Sequence, residues 1–196
     1  HPELLDYLAL RFIEKKWSVK DMIREIVLSR SYRMSSKFNA YNFKKDPDNN
    51  LLWHISHKRL DAEVIRDAIL KISGDLLTEK PLASVVAKQG HTVTNIAARR
   101  SDNPYDPKEK YRSVYLPIVR DMLPSMLKTF DFSESMMTAS QRESNNTAAQ
   151  ALFMLNNSFI VNQSDRLAKK LIKKHKKLDD QLREAFLLCF SRPARS

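Results

Sequence analysis

Two histidines, His54-x-x-His57, stand about one helical turn apart, a spacing at which two imidazoles can share a metal ion. The glutamate of the zincin signature is missing and no third ligand is evident, so surface or packing histidines are the stronger reading and no metal site is expected. Asp61 and Glu63 are candidates for an acid and base pair. Helix N-capping and a favourable first-turn dipole explain both without chemistry. Cys189, the sole cysteine, falls in the apolar run Phe186-Leu187-Leu188-Cys189-Phe190, where a buried inert thiol is expected rather than a nucleophile. Arg112, Asp131, Arg142 and Gln150 are each embedded among apolar residues, where a charge or amide needs a partner. They are expected to form one network, with an arginine on Asp131. A buried structural network is the first reading and a ligand site the second.

The remaining charge is concentrated. The chain of 196 residues carries 34 basic and 23 acidic residues, a net charge of +11. Seven of the bases, Arg166, Lys169, Lys170, Lys173, Lys174, Lys176 and Lys177, lie within residues 166–177 without an acid. Without them the balance falls to +4, which is ordinary. Such a face can contact phosphates or anionic headgroups. It has no interleaved aromatics on which bases would stack, which favours a solvated face over nucleic-acid binding. Two glycines exclude a phosphate-cradling loop and a dinucleotide fingerprint, and one cysteine excludes a disulfide framework, a four-cysteine zinc site and c-type haem attachment. No apolar run approaches the ~18 residues of a membrane span. No catalytic constellation, bound cofactor or metal is expected.

The elements that must position these residues are helical. Leu4, Leu5, Leu8, Phe12 and Ile13 recur at helical spacing and predict a helix over about 3–15. Ser18 and Asp21 resemble a capping box before an apolar stripe of Val19, Met22, Ile23, Ile26 and Val27, predicting a second helix to about residue 30. The pattern fails over 31–50, although Tyr32, Phe38, Tyr41 and Phe43 imply that this loop packs. Asp61 is expected to cap a long helix over 62–77. Residues 78–110 carry Pro81, Gly90, Pro104 and Pro107 with no period, and are read as an irregular insertion. Residues 112–120 are strand-like in composition, but Pro117 limits them to a short edge segment at most. Helices over 148–155, 159–174 and 178–190 close the chain. The expected fold is mainly α, a single helical domain over 1–196 with one irregular insertion.

The order of several short motifs carries a family resemblance. These are His1-Pro2-Glu3-Leu4-Leu5-Asp6-Tyr7-Leu8-Ala9, Trp17-Ser18-x-Lys20, Ile26-Val27-x-Ser29-x-x-Tyr32-Arg33, Leu51-Leu52-Trp53 and Arg59-Leu60-Asp61-Ala62-Glu63-x-Ile65-Arg66-Asp67. Arg112-Ser113-x-Tyr115, Phe130-Asp131, and Arg142 followed by Asn146-Thr147-x-x-Gln150-Ala151-Leu152 and Leu155-Asn156 continue the series. The chain resembles the planctomycete PSD-one domain, a domain of unknown function, over nearly its whole length outside residues 78–110. Its candidate family-motif residues are Arg59, Asp61, Glu63, Arg66, Asp67, Asn146 and Thr147. The family often has arginines near the positions of His54 and His57, a further argument against a metal there. Ser191-Arg192-Pro193 resembles the start of a longer motif, so the chain is expected to be a piece of a longer protein.

The resemblance implies context more than chemistry. Members are usually the C-terminal part of large exported bacterial proteins, often with a cytochrome-c-like domain upstream. A periplasmic or extracellular location follows, with upstream domains of the same polypeptide or an exported protein as partners, in redox or polymer-degrading machinery. The expected role is an interaction or structural module. One alternative is a hydrolase-like or carbohydrate-acting domain around Asp131, and another is anionic-surface or nucleic-acid binding through residues 166–177. This chain is expected to hold no haem itself: His54 and His57 stand beside Lys58 and Arg59, a poor setting for an axial ligand, and His91 is the other candidate.

Overall fold

The structure is a computed structural model, and it describes residues 1–82, 109–116, 118, 123–133, 142 and 145–194. The chain is mainly α, with no strand among the described residues. None of the described helices is long and apolar enough to cross a membrane. The chain divides into two compact units, His1–Lys58 and Arg59–Ser196.

The first unit holds α1 (Pro2–Glu14), α2 (Val19–Leu28) and α3 (Ala40–Lys45). Pro2 sits in the first turn of α1, where its missing N–H breaks no bond. The Ser18 side chain accepts from the Asp21 amide and starts α2. Arg11 of α1 donates to both Glu25 oxygens at 3.0 and 3.3 Å, a polar clamp across the α1–α2 hairpin. The short helix α3 lies inside the stretch that shows no period, because a helix of six residues is too short to display one. Asn39 caps it, accepting from the Tyr41 and Asn42 amides. The loop does pack: Phe38 meets Phe43 and Trp53 with ring centroids 5.3 and 6.4 Å apart. Beneath it, the buried Asp46 carboxylate accepts from the Asn50 and Leu51 amides at 2.9 and 2.7 Å, while the Trp53 indole donates to the Asp46 carbonyl.

The second unit holds α4 (Ala62–Ser73), a 3-10 turn (Ser113–Tyr115), α5 (Ser125–Thr129), α6 (Ala148–Asn156), α7 (Ser158–Lys174) and α8 (Leu178–Phe190). Its core is Ala62, Met126, Leu127 and Phe130, with Ile65, Ile69, Leu116, Phe132, Phe153 and Phe159 packed against them. The helix α4 lies against α5, α7 and the 3-10 turn. It stops four residues short of the sequence expectation. Gly74 takes φ +91, a left-handed conformation that favours glycine, and the amides of Gly74, Asp75 and Leu76 all turn back onto the Leu70 carbonyl. Thr147 and Gln150 form a reciprocal capping box on α6, and Asn157 caps α7. The strand-like stretch begins instead with the 3-10 turn, and residues 117 and 119–122 lie outside the described residues. So does most of the irregular insertion, 83–108, with His91 in it. An isolated parallel bridge, the Leu77 amide on the Lys110 carbonyl at 2.9 Å, joins the described ends of that insertion.

Candidate functional site

The polar residues of the second unit gather around four carboxylates, and each chooses its own cation. Asp131 opens the turn after α5 with φ +60, a left-handed conformation that aspartate tolerates better than most residues. Its Oδ2 accepts from Arg59 Nη1 at 3.1 Å, the Asn145 amide at 3.0 Å and Gln150 Nε2 at 3.2 Å. Gln150, only 6% exposed, also donates to the Thr129 carbonyl and accepts from the Thr147 amide, so its capping role and its link to Asp131 use the same side chain. The Arg59 guanidinium lies over the Phe130 ring, and its Nη2 is buried without a hydrogen-bond partner among the described residues.

Arg142 and Arg112 are directed elsewhere. Arg142 makes a bidentate pair with Glu63, both bonds 2.8 Å, and lies 3.8 Å from Asp61. Asp61 therefore stands at the N-cap of α4 without making a side-chain cap bond, a correction to the capping expectation; its carboxylate is drawn toward Arg142 instead. Burial opposes ionisation of Glu63, but the Arg142 bonds outweigh it and hold the carboxyl below its ordinary range. Asp67 accepts from the amide and the hydroxyl of Ser113, each at 2.7 Å, with Arg112 Nε 3.7 Å away. The neighbouring Arg66 is almost fully buried and donates to the carbonyls of Glu109 at 2.6 Å and Tyr111 at 2.9 Å and to the Ser113 hydroxyl. Its role as a clamp on residues 109–113 has no local sequence signal, because its acceptors are backbone carbonyls.

The fourth carboxylate, Asp75, follows Gly74 and accepts from Lys110 Nζ at 3.2 Å and Arg166 at 3.0 Å on one oxygen and from Gln163 Nε2 on the other. Burial opposes its ionisation, and Lys110, Gln163 and Arg166 together keep its carboxyl below the usual range. The basic stretch 166–177 is thus less bare than its sequence: Arg166 pairs with Asp75, Lys169 with Asp165, and Lys174 with Glu184, which also bonds His175. Lys170 donates to the Ile72 carbonyl, while Lys173, Lys176 and Lys177 are exposed. Cys189 is exposed rather than buried, and partial desolvation still pushes its thiol up in pKa, away from the thiolate a nucleophile needs. Asn146 is exposed beside the Thr147 cap. In the first unit, His54 packs edge-on against Trp53 and its Nδ1 is bonded to the Ile55 carbonyl, while His57 is exposed. No group of three or more metal-ligating side chains occurs among the described residues.

The depressed carboxylates predict an acid-side loss of stability. A carboxylate whose folded pKa lies below its unfolded value stabilises the fold above the unfolded pKa, about 4, and that contribution disappears as pH falls through the folded value. Glu63 and Asp75 both have this sign. Melting temperature should be level from neutrality to about pH 5 and fall below about pH 4. Arg142→Gln should flatten part of that fall, and a curve for the variant parallel to that of the native chain would remove Glu63 from the account.

No curated protein and no solved structure matches this chain. One family model does, over residues 1–196, the whole length on which these pairings and caps are built. The chain belongs to the PSD1 family, described as a protein of unknown function (DUF1553).

Proposed function

We propose that the chain is a non-enzymatic docking module of an exported bacterial multidomain protein, binding upstream domains of its own polypeptide through the apolar face of α2. The observation that carries this is the exposure of that face. Val19, Ile23, Ile26 and Val27 are 60%, 55%, 38% and 36% exposed, and none of the residues of α1, α2 or α3 is buried. The Arg11–Glu25 clamp holds the hairpin together by polar contacts. It leaves the apolar stripe outward, and a contiguous exposed stripe of this kind marks an interaction surface. The extracytoplasmic setting and the redox or polymer-degrading context come from the family resemblance.

The alternatives have weaker support. Asp131 accepts three donors on one oxygen, and no nucleophile and base converge on it among the described residues, which is the pattern of a structural anchor. The basic helix spends Arg166, Lys169 and Lys174 on acids of the same chain, which weakens an anionic-surface role.

The docking reading is tested by titrating the chain with the separately expressed upstream part of its parent protein in a calorimeter. Binding should be measurable, and Ile23→Asp should weaken it at least about tenfold, since it places a desolvated charge in the interface. The far-UV circular dichroism should stay unchanged because Ile23 is more than half exposed. An absence of native binding, or equal binding by the folded variant, would refute the reading.

A further inference from the structure

A cleft of about 840 Å³ opens between the end of α4, the Glu109–Lys110 segment and the N-terminal half of α7. Phe159, partly exposed, gives it apolar surface, Leu70 beside it being buried, and its polar rim includes Asp75, Lys110, Gln163 and Arg166. The electrostatics of this rim are uneven. Lys110 and Arg166 converge on a single oxygen of Asp75, so two cations answer one carboxylate at that point, although the lining as a whole balances three cations with three carboxylates. Both side chains are partly exposed, and a guanidinium with five N–H groups and an ammonium with three have donors to spare beyond those bonds. Ser158, at the first position of the seventeen-residue α7, also lines the cleft, so the positive end of that helix dipole adds to the same field. Lys169 is compensated by Asp165, and Glu109 is the opposing charge on the rim, its carboxylate accepting from the Tyr111 amide.

From this cleft we infer that the chain binds a small organic carboxylate, its anionic head between Lys110 and Arg166 and its apolar body against Phe159. Asp75 holds the two cations at a fixed separation before the ligand arrives, which lowers the ordering entropy of binding. Gln163, buried and bonded to both Asp75 and the Ser73 hydroxyl, fixes Asp75 in turn. The apolar surface sets the preference for an anion with a hydrocarbon body over a bare one. The site is separate from the α2 face, so the docking reading and this one stand or fall apart.

The test uses the full 196-residue chain and benzoate, acetate and inorganic phosphate as probes, followed by NMR of the Arg166 guanidinium and the Phe159 ring. Benzoate at millimolar concentration should shift both sets of signals. Acetate, with the head but no body, should bind about tenfold more weakly, a difference of about 1.4 kcal/mol. Arg166→Gln should weaken benzoate about tenfold and Lys110→Gln similarly, each with an unchanged circular dichroism spectrum. Lys173→Gln, on an exposed residue away from the cleft, should leave binding as it is. Phosphate binding as tightly as benzoate, no shift at Phe159, or indifference to the folded Arg166→Gln variant would each overturn the inference.

Discussion

Arg66→Met is expected to destabilise the second unit by about 3 kcal/mol, because it strips a buried donor from two partly buried backbone carbonyls and a buried hydroxyl. Arg66 is 7% exposed, and burial pulls its pKa down despite Asp67 and Glu109 nearby. Its guanidinium spans the carbonyls of Glu109 and Tyr111 and reaches the Ser113 hydroxyl, which itself donates to Asp67. Methionine keeps much of the volume and none of the hydrogen bonds, so what is measured is the loss of polar satisfaction rather than a cavity. Arg66→Lys should recover only part of the loss, since an ammonium is a point donor and cannot bridge two carbonyls as a planar fork does. Urea unfolding gives the magnitude. Hydrogen exchange gives the place, because the Leu77 amide, bonded to the Lys110 carbonyl between the two clamped carbonyls, should lose more protection than amides in the middle of α6. A change below about 0.5 kcal/mol, the scale of surface substitutions, would mean that the clamp is idle.

The contrast between Arg66 and the caps shows how far the sequence reaches. Ser18 bonds the amide three residues on, and Thr147 and Gln150 close a capping box over the same separation, so both signals lie inside one helical turn. The longer helices follow from periodicity, as does the apolar stripe of α2, whereas α3 and α5, of six and five residues, are too short to show a period. Arg66 belongs to a recognisable motif, yet its acceptors are carbonyls 43 and 45 positions away, and a carbonyl belongs to every residue type. The pairing of arginines with carboxylates fails in the sequence for a related reason. Arg59, Arg112 and Arg142 face Asp131, Asp67 and Glu63, and charge alone permits any assignment. The separations of 72 and 79 residues for the Arg59–Asp131 and Arg142–Glu63 pairs are decided by how α4 packs on α5 and the chain that follows, which no local pattern encodes. Asp61 shows the same competition on a smaller scale. Its position predicts a cap, and a cation brought in from Arg142 draws the carboxylate away. The end of α4 was open to reading, since Gly74 is one of only two glycines in the chain. The apolar run Leu76-Leu77 beyond it continues the helical pattern and hides the stop.

Asp131→Ala is expected to cost about 3 kcal/mol, and a small set of variants separates the causes. Among the described residues, the substitution takes from the Arg59 guanidinium its carboxylate, leaving it over the Phe130 ring with one nitrogen already buried and unpaired. It also takes an acceptor from the Asn145 amide and from Gln150, although Gln150 keeps its bond to the Thr129 carbonyl. A second contribution comes from the backbone. At φ +60 alanine carries a left-handed penalty of about 1 kcal/mol that glycine escapes, so Asp131→Gly should be less damaging than Asp131→Ala by about that amount. Asp131→Asn keeps an acceptor oxygen and tolerates the conformation, and should lose least of the three. The charge contribution is isolated by adding Arg59→Leu to Asp131→Ala: removing the stranded cation should recover part of the loss, giving a coupling energy above about 1 kcal/mol in the double-mutant cycle. Additive effects in that cycle would show that Arg59 and Asp131 do not depend on each other, and a cost for Asp131→Ala below about 0.5 kcal/mol would show that the carboxylate does not anchor the turn.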